Sequence, residues 1–356
     1  MAQYTPKVRE SNIELFRILL MLMIIAHHYV VNSGVEALYD YSNVSGNQVF
    51  LELWGWGGKV GVNCFLLVTG YFMCRGHFTW RKFLRLYLEV KFYKLVIALI
   101  IVLAGRQALT ADYCFNTVFN VAVLMGTTFS TTFIALFLLV PFINRLIGAL
   151  DRRAHAWLVM ALLLIYTLVG TFFNRNITGD IGWFVTVYLI GAYIGRYPVA
   201  RMDSIGRAAA FAALAVIVSL ASVMAITFVP QLAGRINVYY FLTDANRIMA
   251  IVSAVALFLF FKNLPMRHNR LINLAATATF GVLLIHTHSD LSPWLWGDIL
   301  NVKGHFASHL LWLHAIASCA GIYLVCVIID LLRQRLLERP LFNWLDTRFP
   351  SLNNPH

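Results

Sequence analysis

The sequence predicts an all-α fold: a polytopic integral membrane bundle of about ten transmembrane helices with both termini in the cytoplasm. Composition, apolar runs of bilayer length and the placement of basic residues carry this expectation. Of 356 residues, 60% are hydrophobic and only 12% charged, with a mean hydropathy of +0.72. A soluble domain carries about 25% charged residues. A water-soluble core could not hide this much apolar surface, so the bilayer is the expected solvent.

The apolar runs place spans at 15–32, 56–74, 84–104, 129–148, 156–173, 181–197, 208–228, 238–261, 271–289 and 307–331. Each suits a helix of about 20 residues, allowing for tilt. The run 114–126 is too short to cross and reads as an interfacial or re-entrant piece. On this layout six basic residues fall outside: Lys59, Arg106, Arg175, Arg235, Arg247 and Lys303. The remaining 22 of 28 fall inside, in clusters that recur after every second span, such as Arg152/Arg153 and Lys262/Arg267/Arg270. This is the bias that orients membrane proteins. The net charge of +12 therefore reports topology, and no nucleic-acid partner is implied.

Five cysteines, Cys64, Cys74, Cys114, Cys319 and Cys326, form no C-x-x-C pair, and four lie in or beside apolar runs. They read as small buried hydrophobes. The first apolar run lacks a small-residue cleavage site, so it is expected to remain in the chain. The whole of 1–356 reads as one transmembrane domain with cytoplasmic tails 1–14 and 333–356.

Chemistry concentrates at a few positions. In the first span Arg17 and His28 are eleven residues apart. On an ideal helix they return to within roughly 20° of one face, about 16 Å apart along the axis, with His27 about 80° away. Ionisable residues at such depth are costly unless they line a polar cavity, so they are functional candidates. A snorkelling arginine and a histidine bonded to a neighbouring helix would give the same pattern. In GVNCFLLVTGYF, Gly61 to Phe72, Asn63 is a candidate oxyanion donor or helix-packing glue, and Thr69 reads as glue. WRKFLRLY, Trp80 to Tyr87, places Arg81, Lys82 and Arg85 together at the inner mouth. With Arg17 they form a cationic group suited to a phosphate-rich ligand, or to lipid headgroups. In FGVLLIHTHSD, Phe280 to Asp290, His286 stands at a depth comparable to His28 and could serve as its partner. No H-E-x-x-H or similar spacing supports a metal, and none is expected. Tyr39, Tyr41, Trp54, Glu36, Asp40 and Glu52 of the outer segment 33–55 suit a sugar, but read as an interfacial belt.

These segments, in this order, resemble the membrane acyltransferase 3 family, the bacterial O-antigen and exopolysaccharide O-acetylases. The arginine–ten residues–histidine pattern is met by Arg17 and His28. GVNCFLLVTGYF resembles the family's second-helix segment, with Thr69 in place of its usual serine. IGWFVTVYLIGAYIGRY, Ile181 to Tyr197, resembles its central Trp-Phe helix. FGVLLIHTHSD resembles its late Tyr-Leu-Ile-His segment, with Leu284 for tyrosine, and the tail LLERPLF, Leu336 to Phe342, is also similar. The family's Arg-x-x-Arg at the third helix becomes Lys82 and Arg85 here, which keeps the charge and loses one bidentate fork.

The resemblance implies a bacterial plasma-membrane, multi-pass acyltransferase using cytoplasmic acyl-CoA, most often acetyl-CoA, and a carbohydrate or lipid-linked glycan acceptor. Arg17, Arg81, Lys82 and Arg85 would hold the donor phosphates, and His28 would act as general base or carry the acyl group transiently. A glycolipid flippase or proton-coupled transporter is the competing reading, since intramembrane His and Arg also serve proton coupling. Against it, no inverted repeat or pair of Gly/Pro-broken helices is evident. The acceptor, the acyl group and homodimer formation stay open.

Overall fold

Ser45, Thr79, Asp151 and Asn269 each precede a helix and each caps it. Their side-chain oxygens accept from the backbone N–H of Gln48, Lys82, Ala154 and Leu271 respectively. Caps of this kind stabilise a helix by about 0.5–2 kcal/mol. The computed structural model describes residues 9–119, 128–173, 180–198 and 202–354, and these hold helices, turns and no strand.

The helices are α1 (Ser11–Val31), α2 (Gly46–Trp54), α3 (Gly58–Met73), α4 (Trp80–Leu103), α5 (Ala111–Phe119) and α6 (Phe129–Ala149). They continue with α7 (Arg152–Phe172), which contains a π-helical turn at Leu164–Leu168, then α8 (Asp180–Arg196), α9 (Ile205–Phe228) and α10 (Ile248–Asn263). The last are α11 (Arg270–Thr277), α12 (Thr279–His286), α13 (Leu311–Arg333) and α14 (Arg339–Arg348). A helix therefore stands at each apolar run read from the sequence. Among the described residues, five helices pass as membrane spans by length and composition: α1, α6, α7, α9 and the continuous helix Leu311–Arg348. A sixth is added if Arg270–His286 and Leu291–His305, bent by 89°, form one broken span. α8 and α10 are apolar but short. α4 is long enough, but it carries Arg81, Lys82, Arg85, Glu89, Lys91 and Lys94.

Apolar side chains fill the interior and also cover the outside of the bundle. Leu99, Leu103, Trp157, Leu214, Ile217, Leu324 and Ile328 project from α4, α7, α9 and α13 with more than half their surface exposed. That outer apolar belt is what lipid requires, while backbone polar groups are satisfied within helices. The central helix is α1. Its N-terminal half packs into one core cluster through Ile13, Phe16 and Leu20. Its C-terminal half packs into a second cluster through Met21, Ile24, Ile25 and Tyr29. α3 and α8 cross with their backbones in contact: a Cβ at Gly70 would collide with the Tyr188 carbonyl, and one at Gly191 with the Leu67 carbonyl. Small residues are what permit such approach between membrane helices.

Three boundaries differ from the sequence expectation. The run 238–261 becomes helical only at Ile248, because Arg247 turns back to cap α7. Its guanidinium donates to the carbonyls of Gly170 (2.6 Å) and Thr171 (3.3 Å), as a cation at a helix C-terminus should. The run 271–289 breaks at Ala278 and ends at His286. The last span does not stop at 331, and instead continues through a π turn at Gln334–Glu338 into α14. Of the short run 114–126, the part up to Phe119 is helical in α5, and the rest lies outside the described residues. Leu109, Phe115 and Val118 are exposed, and Lys91 Nζ donates to the Val118 carbonyl at 2.6 Å.

Candidate active site

α1 and α12 meet at two heights. At the C-terminal ends of both helices, His28 Nδ1 lies 3.0 Å from His286 Nε2. Nearer their N-terminal ends, Arg17 donates to Thr279 Oγ1 at 3.2 Å and to Glu14 Oε2 at 3.0 Å. Glu14 also receives Arg9 at 3.3 Å, so the foot of α1 is a small ionic ladder. The structure thus brings together two residues picked out from the sequence, His28 and His286, while Arg17 meets the same helix nearer its start.

Partner chemistry assigns the proton positions. His286 Nδ1 is 2.6 Å from the Val282 carbonyl, which can only accept. Nδ1 of His286 therefore carries the hydrogen, and its Nε2 is the acceptor. His28 must then donate through Nδ1, which leaves the lone pair on His28 Nε2. His286 is fully buried, whereas His28 is half-buried and keeps a surface that another molecule can reach. One histidine is sealed and committed, while the other is oriented and open.

His27 has a different task. Its Nδ1 donates to the Gly55 carbonyl at 2.6 Å, and its ring lies on Gly58, where a Cβ would collide with the imidazole. This fixes the entry to α3.

The remaining expected site residues are spread out. Asn63 is fully buried, accepting from Trp183 Nε1 at 2.9 Å and donating to the Ala245 carbonyl at 2.7 Å. It ties α3 to α8 and to the turn before α10. Thr69 donates to the Phe65 carbonyl of its own helix at 2.8 Å. Arg81 makes a bidentate pair with Asp346 at 2.8 and 3.0 Å, and Arg85 pairs with Glu338 at 2.5 Å. Lys82 donates to the His77 carbonyl at 2.8 Å. The four cations expected to form one cluster are thus divided among different partners, two of them on the C-terminal segment.

Sequence reading missed a buried ionic network behind α12. Arg333 reaches Asp330 (2.7 Å), Glu338 (2.8 Å) and Glu89 (3.1 Å). Tyr93 and Gln334 each donate to Asp330 at 2.7 Å, and Gln334 also donates to the Thr277 carbonyl at 3.3 Å. Asp330 packs on Gly281, where any side chain would strike the carboxylate. The network braces the helix that bears His286. Its signal in the sequence was Glu89 and Asp330, lone acids in apolar runs. Among the described residues, no group of three or more His, Cys, Asp or Glu is arranged to hold a metal.

The fold and the buried polar pair at its centre define a membrane-embedded acyltransferase once the comparison with protein families is added. A family model described as an acyltransferase domain matches residues 10–331, and the chain belongs to the membrane acyltransferase 3 family. The match covers Arg17, His28, His286 and Asp330, and stops before Arg333, Glu338 and Asp346. No curated protein and no solved structure matches the chain.

Proposed function

We propose that the protein is a ten-span bacterial plasma-membrane O-acyltransferase, with both termini cytoplasmic. It moves an acetyl group from cytoplasmic acetyl-CoA to a hydroxyl of an envelope carbohydrate or lipid-linked glycan. The observation that carries this reading is the His28–His286 hydrogen bond, with His286 held by Val282. It leaves His28 Nε2 as a directed base on a half-buried ring.

The chemistry follows from that tautomer. Nε2 takes the proton of the acceptor hydroxyl as its oxygen attacks the thioester carbonyl. The imidazolium so formed shares its Nδ1 proton with His286, which stays neutral and holds the ring. The new C–O bond forms, the C–S bond breaks, and the CoA sulfur leaves with the proton returned by Nε2. Arg17, on the same face of α1 and about 16 Å nearer its inner end, receives the donor's phosphates. Lys82 contributes charge at the inner rim. Arg81 pairs with Asp346 on a partly exposed surface, where such a pair contributes about 0–1 kcal/mol and exchanges readily with a phosphate. Arg85 is held by the buried Glu338 of the Arg333 network and keeps an exposed guanidinium beside it. Asn63, with a partner on each end of its amide, positions helices and does not touch the reacting atoms.

The test is acyl transfer by purified protein from acetyl-CoA to an envelope glycan fraction, followed as thiol release and as ester formed. Wild-type activity with none in His28→Ala supports the reading. Proton-coupled glycolipid movement without thiol release would replace it with transport.

A further inference from the structure

Arg81, Arg85 and Arg333, on α4 and α13, each face a carboxylate. Arg145 does not. At the end of α6 its side chain is exposed, with no hydrogen bond or ion pair among the described residues. It lines a pocket of about 210 Å³ together with Gly76, His77, Phe78, Pro141 and Asn144. That volume is far above the roughly 10–15 Å³ that a single water needs. Among the described residues, no carboxylate lines the pocket.

Its walls are fixed. Asn144 accepts from Tyr188 at 2.7 Å and donates to the Met73 carbonyl at 2.9 Å, so its amide cannot turn away. Phe78 is buried against Phe137, with ring centroids 5.6 Å apart. Lys82 Nζ is tethered at 2.8 Å to the carbonyl of His77, which brings a second cation to the rim. An ammonium has three donors, so two remain for a ligand. The His77 imidazole adds a further polar group, and an arginine fork matches two oxygens of one phosphate.

We infer that this pocket, between the α3–α4 turn and the end of α6, is a phosphate-ester site built by Arg145 and His77, with Lys82 beside it on the His77 carbonyl. The donor's phosphates are the source that fits the acyl-CoA reading, on which this inference rests. A phospholipid headgroup carries the same group, and the two sources separate experimentally.

Purified wild-type protein, Arg145→Gln, the charge-keeping Arg145→Lys and the control Arg153→Gln are placed in nanodiscs of neutral phosphatidylcholine. Arg153 is another exposed basic residue, outside the pocket, and its variant corrects for a general loss of charge. Binding of CoA and of 3′-dephospho-CoA is measured by calorimetry, and retention of phosphatidylglycerol by native mass spectrometry. Folding is checked by monodispersity and thermal melting. A buried or bidentate phosphate contact predicts at least a roughly tenfold loss of CoA affinity in Arg145→Gln, partial recovery in Arg145→Lys and no change in Arg153→Gln. If dephospho-CoA binding is spared, the pocket holds the 3′-phosphate. If both ligands weaken alike, it holds the diphosphate. Unchanged CoA affinity with phosphatidylglycerol lost only from Arg145→Gln assigns the site to a lipid headgroup. Arg145→Gln matching wild type in both assays overturns the site, even where wild type binds CoA well. Absence of CoA binding by wild type fails the donor reading instead, and the lipid arm then decides the pocket alone.

Discussion

Replacing His286 with phenylalanine removes the acceptor that faces His28 Nδ1 while keeping a ring of similar shape. Because His286 has no exposed surface, water cannot take the vacated place. His28 then has two options. It can keep its proton on Nδ1 without a partner, or move it to Nε2 and lose the base. An unmade buried hydrogen bond costs about 1–3 kcal/mol. At 1.4 kcal/mol per factor of ten, the reactive form falls by about 5- to 150-fold. The loss belongs in kcat, since Arg17 and the inner rim are untouched and the donor KM should stay within about twofold of wild type. His286→Gln retains an acceptor oxygen and should fall between wild type and His286→Phe. The assay is single-turnover acyl transfer in proteoliposomes, read as thiol released from acetyl-CoA. Wild-type kcat in His286→Phe, alongside an inactive His28→Ala, would refute the tautomer argument.

Three further outcomes are expected. His27→Ala leaves the Gly55 carbonyl without its donor, so it should lower the melting temperature while retaining more activity than His28→Ala, and the reverse order would reassign the base. Arg17→Ala should weaken acetyl-CoA binding roughly tenfold by calorimetry, since a charge-assisted contact contributes about 1.5–3 kcal/mol, and unchanged affinity would leave Arg17 as a brace for Thr279 alone. A topology reporter after Arg339 should read cytoplasm and one near Asn176 should read exterior, and an external C-terminus would require an odd number of spans.

The approach of His28 to His286 was legible because helical spacing and depth are local properties. An eleven-residue interval fixes a face, and an apolar run fixes a height. Which nitrogen faces which was not legible, because it depends on rotamers and on the Val282 carbonyl one turn away. The dispersal of the basic group was hidden for a different reason. Arg81 is local to Lys82 and Arg85, but Asp346 lies 265 residues further on. Charge counts along one loop say nothing about such distant counter-ions. The start of α10 was misplaced because Val238, Tyr239 and Tyr240 look as apolar as any helical run, while the pinning contact sits on Arg247. Asn63 was ambiguous in the sequence, since a buried amide suits packing and chemistry equally; its two partners are what distinguish its geometry.

The histidine pair joins positions 258 residues apart, the first helix of the chain and one near its end. During biosynthesis α1 enters the bilayer long before α12 exists. Until α12 arrives, the His28 ring has neither its acceptor nor its fixed tautomer. Nascent chains and truncated products therefore carry Arg17 and His28 without the contact that orients the imidazole. The same separation makes the protein a natural candidate for division into two polypeptides. A break in the exposed turn around Gly234 would leave each half with one member of the histidine pair, and activity would return only on their reunion.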